Sequence, residues 1–228
     1  MNVTTRDRYD FAFRGEGLVA LPSGALHWPD RDLLVVSDLH LGKSERAARR
    51  GGPMLPPYDG IETLDRLAAD LSQTRPKRVL CLGDSFDDLT AASAIDPSTE
   101  ARLTSLMAGR HWIWIEGNHD PGPLGIGGSH MKDFSEGPIV FRHIATASAT
   151  AEISGHYHPK ARLLTRRGPV TRRCFLVDRA RIVMPAYGTY TGGLRCDSPE
   201  LSGLMDGSAR AIMLGRPPVE IPMPRATR

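Results

Sequence analysis

A chain of 228 residues, 40% of them hydrophobic and with a formal charge of only +3, is long enough for one sizeable core and short for two. Its mild positive charge tolerates a polyanionic partner without demanding one. The three cysteines, Cys81, Cys174 and Cys196, are odd in number and lack C-x-x-C spacing, which fits reduced thiols better than a disulfide framework. The opening MNVTTRDRYDF has no apolar leader, and no later stretch approaches the ~20 apolar residues of a membrane span. A single cytoplasmic domain over residues 1–228 is therefore expected.

Two apolar segments, Leu18 to Leu21 and Ala25 to Trp28, flank Pro22, Ser23 and Gly24, and predict a hairpin within about residues 16–30. Leu33 to Val36 reads as a buried strand ending in Ser37-Asp38-Leu39-His40. Glu45 to Arg50 predicts a short helix, after which Gly51, Gly52, Pro53, Pro56 and Pro57 force a loop. Asp59 is placed to cap the next helix, from about Gly60 to Gln73, where Ile61, Leu64, Leu67, Ala68 and Leu71 recur at helical spacing. Val79 to Leu82 is a continuous apolar run, as in a parallel strand covered on both faces, and leads through Gly83 into Asp84, Asp87 and Asp88. Asp96 as N-cap and Pro97 at the first position begin another helix, with Leu103, Leu106 and Met107 as its apolar face. His111 to Ile115 is a further strand; because Trp112 and Trp114 alternate with Ile113 and Ile115, at least one of the two pairs belongs to the core.

To this point the rhythm is that of a largely parallel sheet with helical crossovers. The second half reads as an antiparallel meander of Ile139 to Arg142, Ala151 to Ser154, Cys174 to Val177 and Arg181 to Ala186, with Ala211 to Leu214 added. The last stretch, about 215–228, reads as a proline-rich tail. The expected fold is an α/β two-sheet sandwich flanked by helices, with polar loops gathered at the carboxyl ends of strands.

Five polar clusters end or follow these strands: Asp38-x-His40, Asp84 with Asp87 and Asp88, Gly117-Asn118-His119-Asp120, His143, and Gly155-His156-Tyr157-His158. They hold five of the eight histidines. Residues two apart share a face, so D-x-H and H-x-H each offer one ion two ligands. Asp84 follows a strand directly with no lysine or arginine beside it, and a carboxylate there wants a cation. The candidate donors outnumber the roughly four to six positions of one catalytic ion, which implies two metals. Two divalent ions sharing a hydroxide suit phosphoester hydrolysis, and oxygen with imidazole donors favours manganese, iron or zinc.

The ordered set D-x-H, G-D-x-x-D, G-N-H-D, H and G-H-x-H resembles the calcineurin-like metallophosphoesterases. The resemblance implies Asp38, His40, Asp84 and His158 on one ion and Asp84, Asn118, His143 and His156 on the other, with Asp84 bridging. It implies that His119 stands beside the leaving group, with Asp120 orienting its imidazole, and that Asp87 supports the loop without ligating. GALHWP, DLHLGKSERAARRGGPMLPPYDGIETLDRL, GHYHPKARL and MPAYGTYTGGL further resemble the bacterial DNA-ligase-associated metallophosphoesterases. That similarity implies a DNA-repair endonuclease working with a ligase, a helicase and an exonuclease. The sequence departs from that group at Asp87, where the pattern has a histidine.

Lys43, Arg46, Arg49 and Arg50 follow the first metal motif, and the three arginines would share one helix face and could meet phosphates beside the scissile one. Arg166, Arg167, Arg172 and Arg173 bracket a Gly-Pro turn and could flank the same strand of nucleic acid. The loop from Tyr187 to Gly193 could stack bases, or be turn chemistry alone. The reading is a two-metal phosphodiesterase, a nuclease acting on DNA. Its rivals are a hydrolase of small phosphodiesters or nucleotide pyrophosphates, and a non-catalytic repair scaffold.

Overall fold

In a computed structural model, residues 7–51, 56, 58–88, 95–122 and 125–226 are described. Gly52, Pro53 and Pro57 of the expected loop lie outside them. The first sheet runs in chain order through β1 (Tyr9–Phe13), β2 (Glu16–Ala20), β3 (Leu26–Trp28), β4 (Leu33–Val36), β5 (Arg78–Leu82), β6 (His111–Ile115) and β7 (Ser129–Met131). β1 to β4 pair antiparallel, which includes the expected hairpin of β2 and β3. From β4 to β7 every pairing is parallel.

Helices α1 (Lys43–Arg49), α2 (Asp59–Thr74) and α3 (Pro97–Met107) lie in the crossovers. α3 begins as its sequence dictates, with the Asp96 carboxylate accepting from the backbone N–H groups of Ser98 and Thr99 and Pro97 in the first turn. Asp59 does not cap its own helix, whose N-cap is Tyr58. Its carboxylate instead accepts from the backbone N–H groups of Lys43 and Ser44, at 3.0 and 3.3 Å, and so fixes the start of α1 just after the first metal motif.

The second sheet corrects the expected meander. β8 (Asp133–Glu136), β9 (Ile139–Arg142), β10 (Glu152–Ser154), β11 (Lys160–Thr165), β12 (Gly168–Val177), β13 (Arg181–Val183), β14 (Arg210–Met213) and β15 (Val219–Pro222) form it, with α4 (Pro199–Leu204) between β13 and β14. Its order is β15-β14-β12-β13-β10-β9-β8, with β11 paired to β12. β10 is parallel to both β9 and β13, and the other pairings are antiparallel. The reversal matters, because parallel neighbours bring their carboxyl ends, and hence His143 and His156, to one edge; an antiparallel pair would separate them. The expected tail is also structured: β15 pairs with β14, and Met223 beyond it is buried.

Three apolar layers follow from strand alternation. Leu80, Leu82, Ile113 and Ile115 face Phe141, Ile153, Phe175 and Ile212 between the sheets. On the other face of the first sheet, Val79, Cys81, Trp112 and Trp114 meet Leu64, Leu67 and Leu71 of α2 and Leu103 and Leu106 of α3, so both halves of the Trp-Ile alternation are core. Outside the second sheet, Cys174, Leu176, Val183 and Met213 pack on Leu201 of α4.

Candidate metal centre

The loops after β4 and β5 continue side by side beyond their strands. Asp38 donates its N–H to the Gly83 carbonyl, His40 to Asp84 and Leu41 to Ser85. The two segments therefore travel together to the edge where β6, β9 and β10 also end. Among the described residues, five of the nine non-glycine residues with positive φ are candidate ligands: Asp38, His40, Asp84, His156 and His158. Left-handed backbone costs such residues of order 1–3 kcal/mol each and persists where the surroundings over-determine it. The two side chains of D-x-H thus converge through left-handed turns, where the sequence suggested strand periodicity.

Two glycines make the crowding possible. A Cβ at Gly117 would collide with the backbone nitrogen of Asp84 and the carboxylate of Asp120, and one at Gly155 with Ser37 Oγ and the Asp38 carboxylate.

The donors form two adjoining groups, Asp38 with His40 and His158, and Asp84 with His143 and His156, each with ligand atoms within 4.8 Å of one another. In the first, His158 Nε2 lies 3.0 Å from Asp38 Oδ1, and Asp38 Oδ2 accepts the His156 N–H at 3.0 Å. His40 Nδ1 meets Asp87 Oδ1 at 2.9 Å, which turns His40 Nε2 to the group's centre. In the second, four donors crowd together: His143 Nε2 lies 2.9 Å from Asn118 Oδ1, 3.2 Å from His156 Nδ1 and 3.3 Å from Asp84 Oδ2. The Leu82 carbonyl, 2.8 Å from His143 Nδ1, fixes that ring so that Nε2 is the free donor. His143 is also 3.9 Å from Asp38 and so joins the groups. All seven sequence-derived ligands, Asn118 included, are brought together.

The electrostatics suit cations. Burial alone would depress the His143 pKa, but hydrogen bonding to Asp84 and the charges of Asp38 and Asp84 raise it to about 9. The field that stabilises a proton there would stabilise a metal ion. Burial pushes the Asp38 carboxyl up, and contacts with His158, His143 and His40 outweigh it and bring it to about 2. His40 Nε2 is buried and lacks a hydrogen-bond partner, as a lone pair reserved for an ion would. The residue set fits divalent metals held by oxygen and imidazole.

His119 sits at the mouth, its side chain 30% exposed. Its N–H donates to Asp84 Oδ1 at 2.8 Å, its Nδ1 is 2.8 Å from the Asp87 carbonyl, and its Nε2 lies 4.0 Å from Asp84 Oδ2. The expected contact of Asp120 with this ring is replaced by that carbonyl. Asp120 instead accepts from the backbone N–H groups of Asp84, Ser85, Phe86 and Gly117, tying the β5 and β6 loops together. Burial, reinforced by Asp84 and opposed by these donors, raises its carboxyl to about 6.

The basic residues after the first motif are paired. Lys43 and Arg46 meet Asp87 at 3.5 and 2.8 Å, Arg49 meets Asp88 at 2.9 Å, and Arg46 also lies 3.6 Å from Asp88. Arg50 caps α1 and is exposed. Arg172 and Arg173 donate to the carbonyls of Leu214 and Ala186, whereas Arg166 and Arg167 are exposed at the β11–β12 turn. The resemblance implied that Asp87 supports the loop; its role as the shared partner of His40, Lys43 and Arg46 has no signal beyond the spacing G-D-x-x-D.

Residues 32–179 match the family model described as calcineurin-like phosphoesterase. Among curated proteins none matches the chain. Among solved structures, the chain is similar to the nuclease MPE of Pseudomonas putida, with 27% identity, a TM-score of 0.72, and coverage of 93% of this chain and 100% of that one. A family match over more than half the chain agrees with the ligand geometry. The chain belongs to the calcineurin-like phosphoesterases and is a metal-dependent phosphoesterase.

Proposed function

We propose that the protein is a two-metal phosphodiesterase that cleaves DNA as a nuclease in repair, with manganese as its working metal. The observation that carries the two-metal reading is the pair of adjoining donor groups, with His143 of the second reaching both Asp84 and Asp38. When bound, two divalent ions supply an activated water and neutralise charge on the phosphate oxygens. The protein's part is to set ligands and proton donor in place. Asp87 orients His40, the Leu82 carbonyl orients His143, and Asp120 holds the backbone of the Asp84 and Gly117 loops. His119, anchored through its N–H to Asp84 and through Nδ1 at the Asp87 carbonyl, presents Nε2 to the open side, where it can donate a proton to the departing oxygen. The nuclease similarity and the sequence likeness to ligase-associated enzymes support DNA as substrate.

The test is hydrolysis by the purified protein with manganese, first of bis-p-nitrophenyl phosphate, then of single-stranded, nicked and duplex DNA. Turnover of both classes is expected. Turnover of the small diester alone would replace the nuclease reading with that of a small-phosphodiester hydrolase. No turnover with both metals bound would refute the phosphodiesterase reading.

A further inference from the structure

A second cationic site lies outside the metal ligands. A cavity of 210 Å³ is lined by Glu62, Arg66, Lys160, Arg173, Thr189 and Tyr190, among others. Its three cations come from three elements, α2, β11 and β12, and face one carboxylate. Glu62 reaches Arg66 at 3.5 Å and is itself largely exposed. Among the described residues, no ion pair joins Lys160 or Arg173 to an acid; Lys160 Nζ lies 3.5 Å from the Thr191 carbonyl. Arg173 is half-buried, and burial together with the neighbouring charge of Arg66 lowers its pKa. Such like-charge crowding is costly unless an anion relieves it.

The cavity is tied to the metal centre by its floor. Gly188 donates its N–H to the Asp38 carbonyl, and Leu194 donates to the Tyr157 carbonyl beside His158. The loop from 188 to 194 therefore spans the two ends of the first donor group. Arg66 holds it from α2, donating to the Tyr187 carbonyl at 2.8 Å and to Thr189 Oγ1 at 2.9 Å. Away from the metal centre, Lys160 also lines an adjoining cavity of 320 Å³ with Arg162.

We propose that this cavity binds a non-scissile phosphate of a nucleic-acid strand whose scissile phosphate lies at the metal centre, with Lys160 and Arg173 as its charged donors and Thr189 as a hydroxyl donor. The proposal rests on the nuclease reading and deepens it. A chain with many phosphates gains from such a site, and a small diester with one does not.

Lys160→Glu tests it, because the Lys160 amine makes no contact with the metal ligands. Binding of labelled single-stranded DNA is measured by fluorescence anisotropy at several salt concentrations, and turnover is measured on an oligonucleotide and on bis-p-nitrophenyl phosphate. For the variant, DNA affinity should fall about tenfold and the slope of log affinity against log salt should shrink by ~0.7, the loss of one phosphate contact on a single strand. The oligonucleotide KM should rise with kcat unchanged, and small-diester turnover should keep its wild-type value, which also reports an intact fold. Lys160→Gln should give a smaller change in the same direction. Unchanged DNA affinity and salt slope in both variants would overturn the proposal, as would equal losses on DNA and the small diester. Lys160-dependent DNA binding without turnover would sustain the site and refute the nuclease reading instead.

Discussion

Asp87→Ala probes the dependence of one donor group on a buried carboxylate that ligates nothing. The Asp87 side chain is 4% exposed and meets His40 Nδ1 at 2.9 Å, Arg46 at 2.8 Å and Lys43 at 3.5 Å. Burial pushes its carboxyl up, but hydrogen bonds from His40 and Arg46 outweigh it and hold the group well below the usual carboxylate range, so it is ionised at neutral pH. Removing it frees the His40 ring to turn and to change tautomer. Loss of such a support costs ~10–100-fold in metal affinity, or about 1.4–2.7 kcal/mol at one site. The second group, Asp84, Asn118, His143 and His156, has no contact with Asp87 through its ligating atoms, so its affinity should hold. Calorimetric titration of apo protein with manganese should resolve two events in the wild type and weaken only one in the variant, while Asp87→Glu restores part of the loss. Two unchanged affinities would refute the assignment of Asp87 as the residue that orients His40, and equal weakening of both would show that the groups do not bind independently.

His119→Ala should keep both metals by elemental analysis and lower kcat by ~10²–10⁴, the ordinary worth of a general acid; wild-type kcat would exclude that role. Gly117→Ala should lower Tm by roughly 2–12 °C, from an overpacking cost of ~1–3 kcal/mol in a chain of this size, and should abolish tight metal binding because the new Cβ meets Asp84 and Asp120. Chelation of bound metal should lower Tm, since an ion at about 100 Kd stabilises the fold by ~2.7 kcal/mol, and an unshifted melting curve would place metal binding outside the folded core. Burial raises the Asp70 carboxyl, whose Oδ2 accepts from the Tyr187 hydroxyl at 2.9 Å. In the window between its unfolded and folded pKa values the native state holds the proton and the unfolded state does not, so stability falls as pH rises through it. Asp70→Asn should thus gain stability relative to wild type as pH rises above the ordinary carboxylate pKa in thermal melts, and a constant difference would contradict the sign.

The clusters after β4, β5, β6 and β9 were legible because each follows a strand rich in apolar residues, and all five because catalytic metal donors are few residue types in a fixed order. The direction of β10 was not legible. Glu152 to Ser154 is a strand of three residues, and nothing in Glu-Ile-Ser distinguishes a parallel neighbour from an antiparallel one. Its direction is set by the long excursion through the β11–β12 hairpin before β13. β15 was hidden by the prolines around it and by Pro222 at its end, which an edge strand tolerates because one side of it makes no ladder. The arginine row of α1 was legible as one face but not in its partners: helical spacing shows that Arg46 and Arg49 point together, whereas only the fold shows Asp87 and Asp88 opposite them.

That pairing bears on how such a site selects its substrate. Cations beside a metal centre attract phosphate only where acids do not already neutralise them, and α1 spends its charge on Asp87 and Asp88 to hold His40 and the β5 loop. Lys160 and Arg173, for which no ion pair to an acid is formed among the described residues, lie against the loop that joins Asp38 to His158. Polyanion attraction should therefore be one-sided. Charge reversal at Arg49, exposed and bound to Asp88, should change the salt dependence of DNA binding far less than reversal at Lys160, though both change the net charge by the same amount. Equal slopes for the two variants would show that total charge, rather than its placement, governs the approach of the strand.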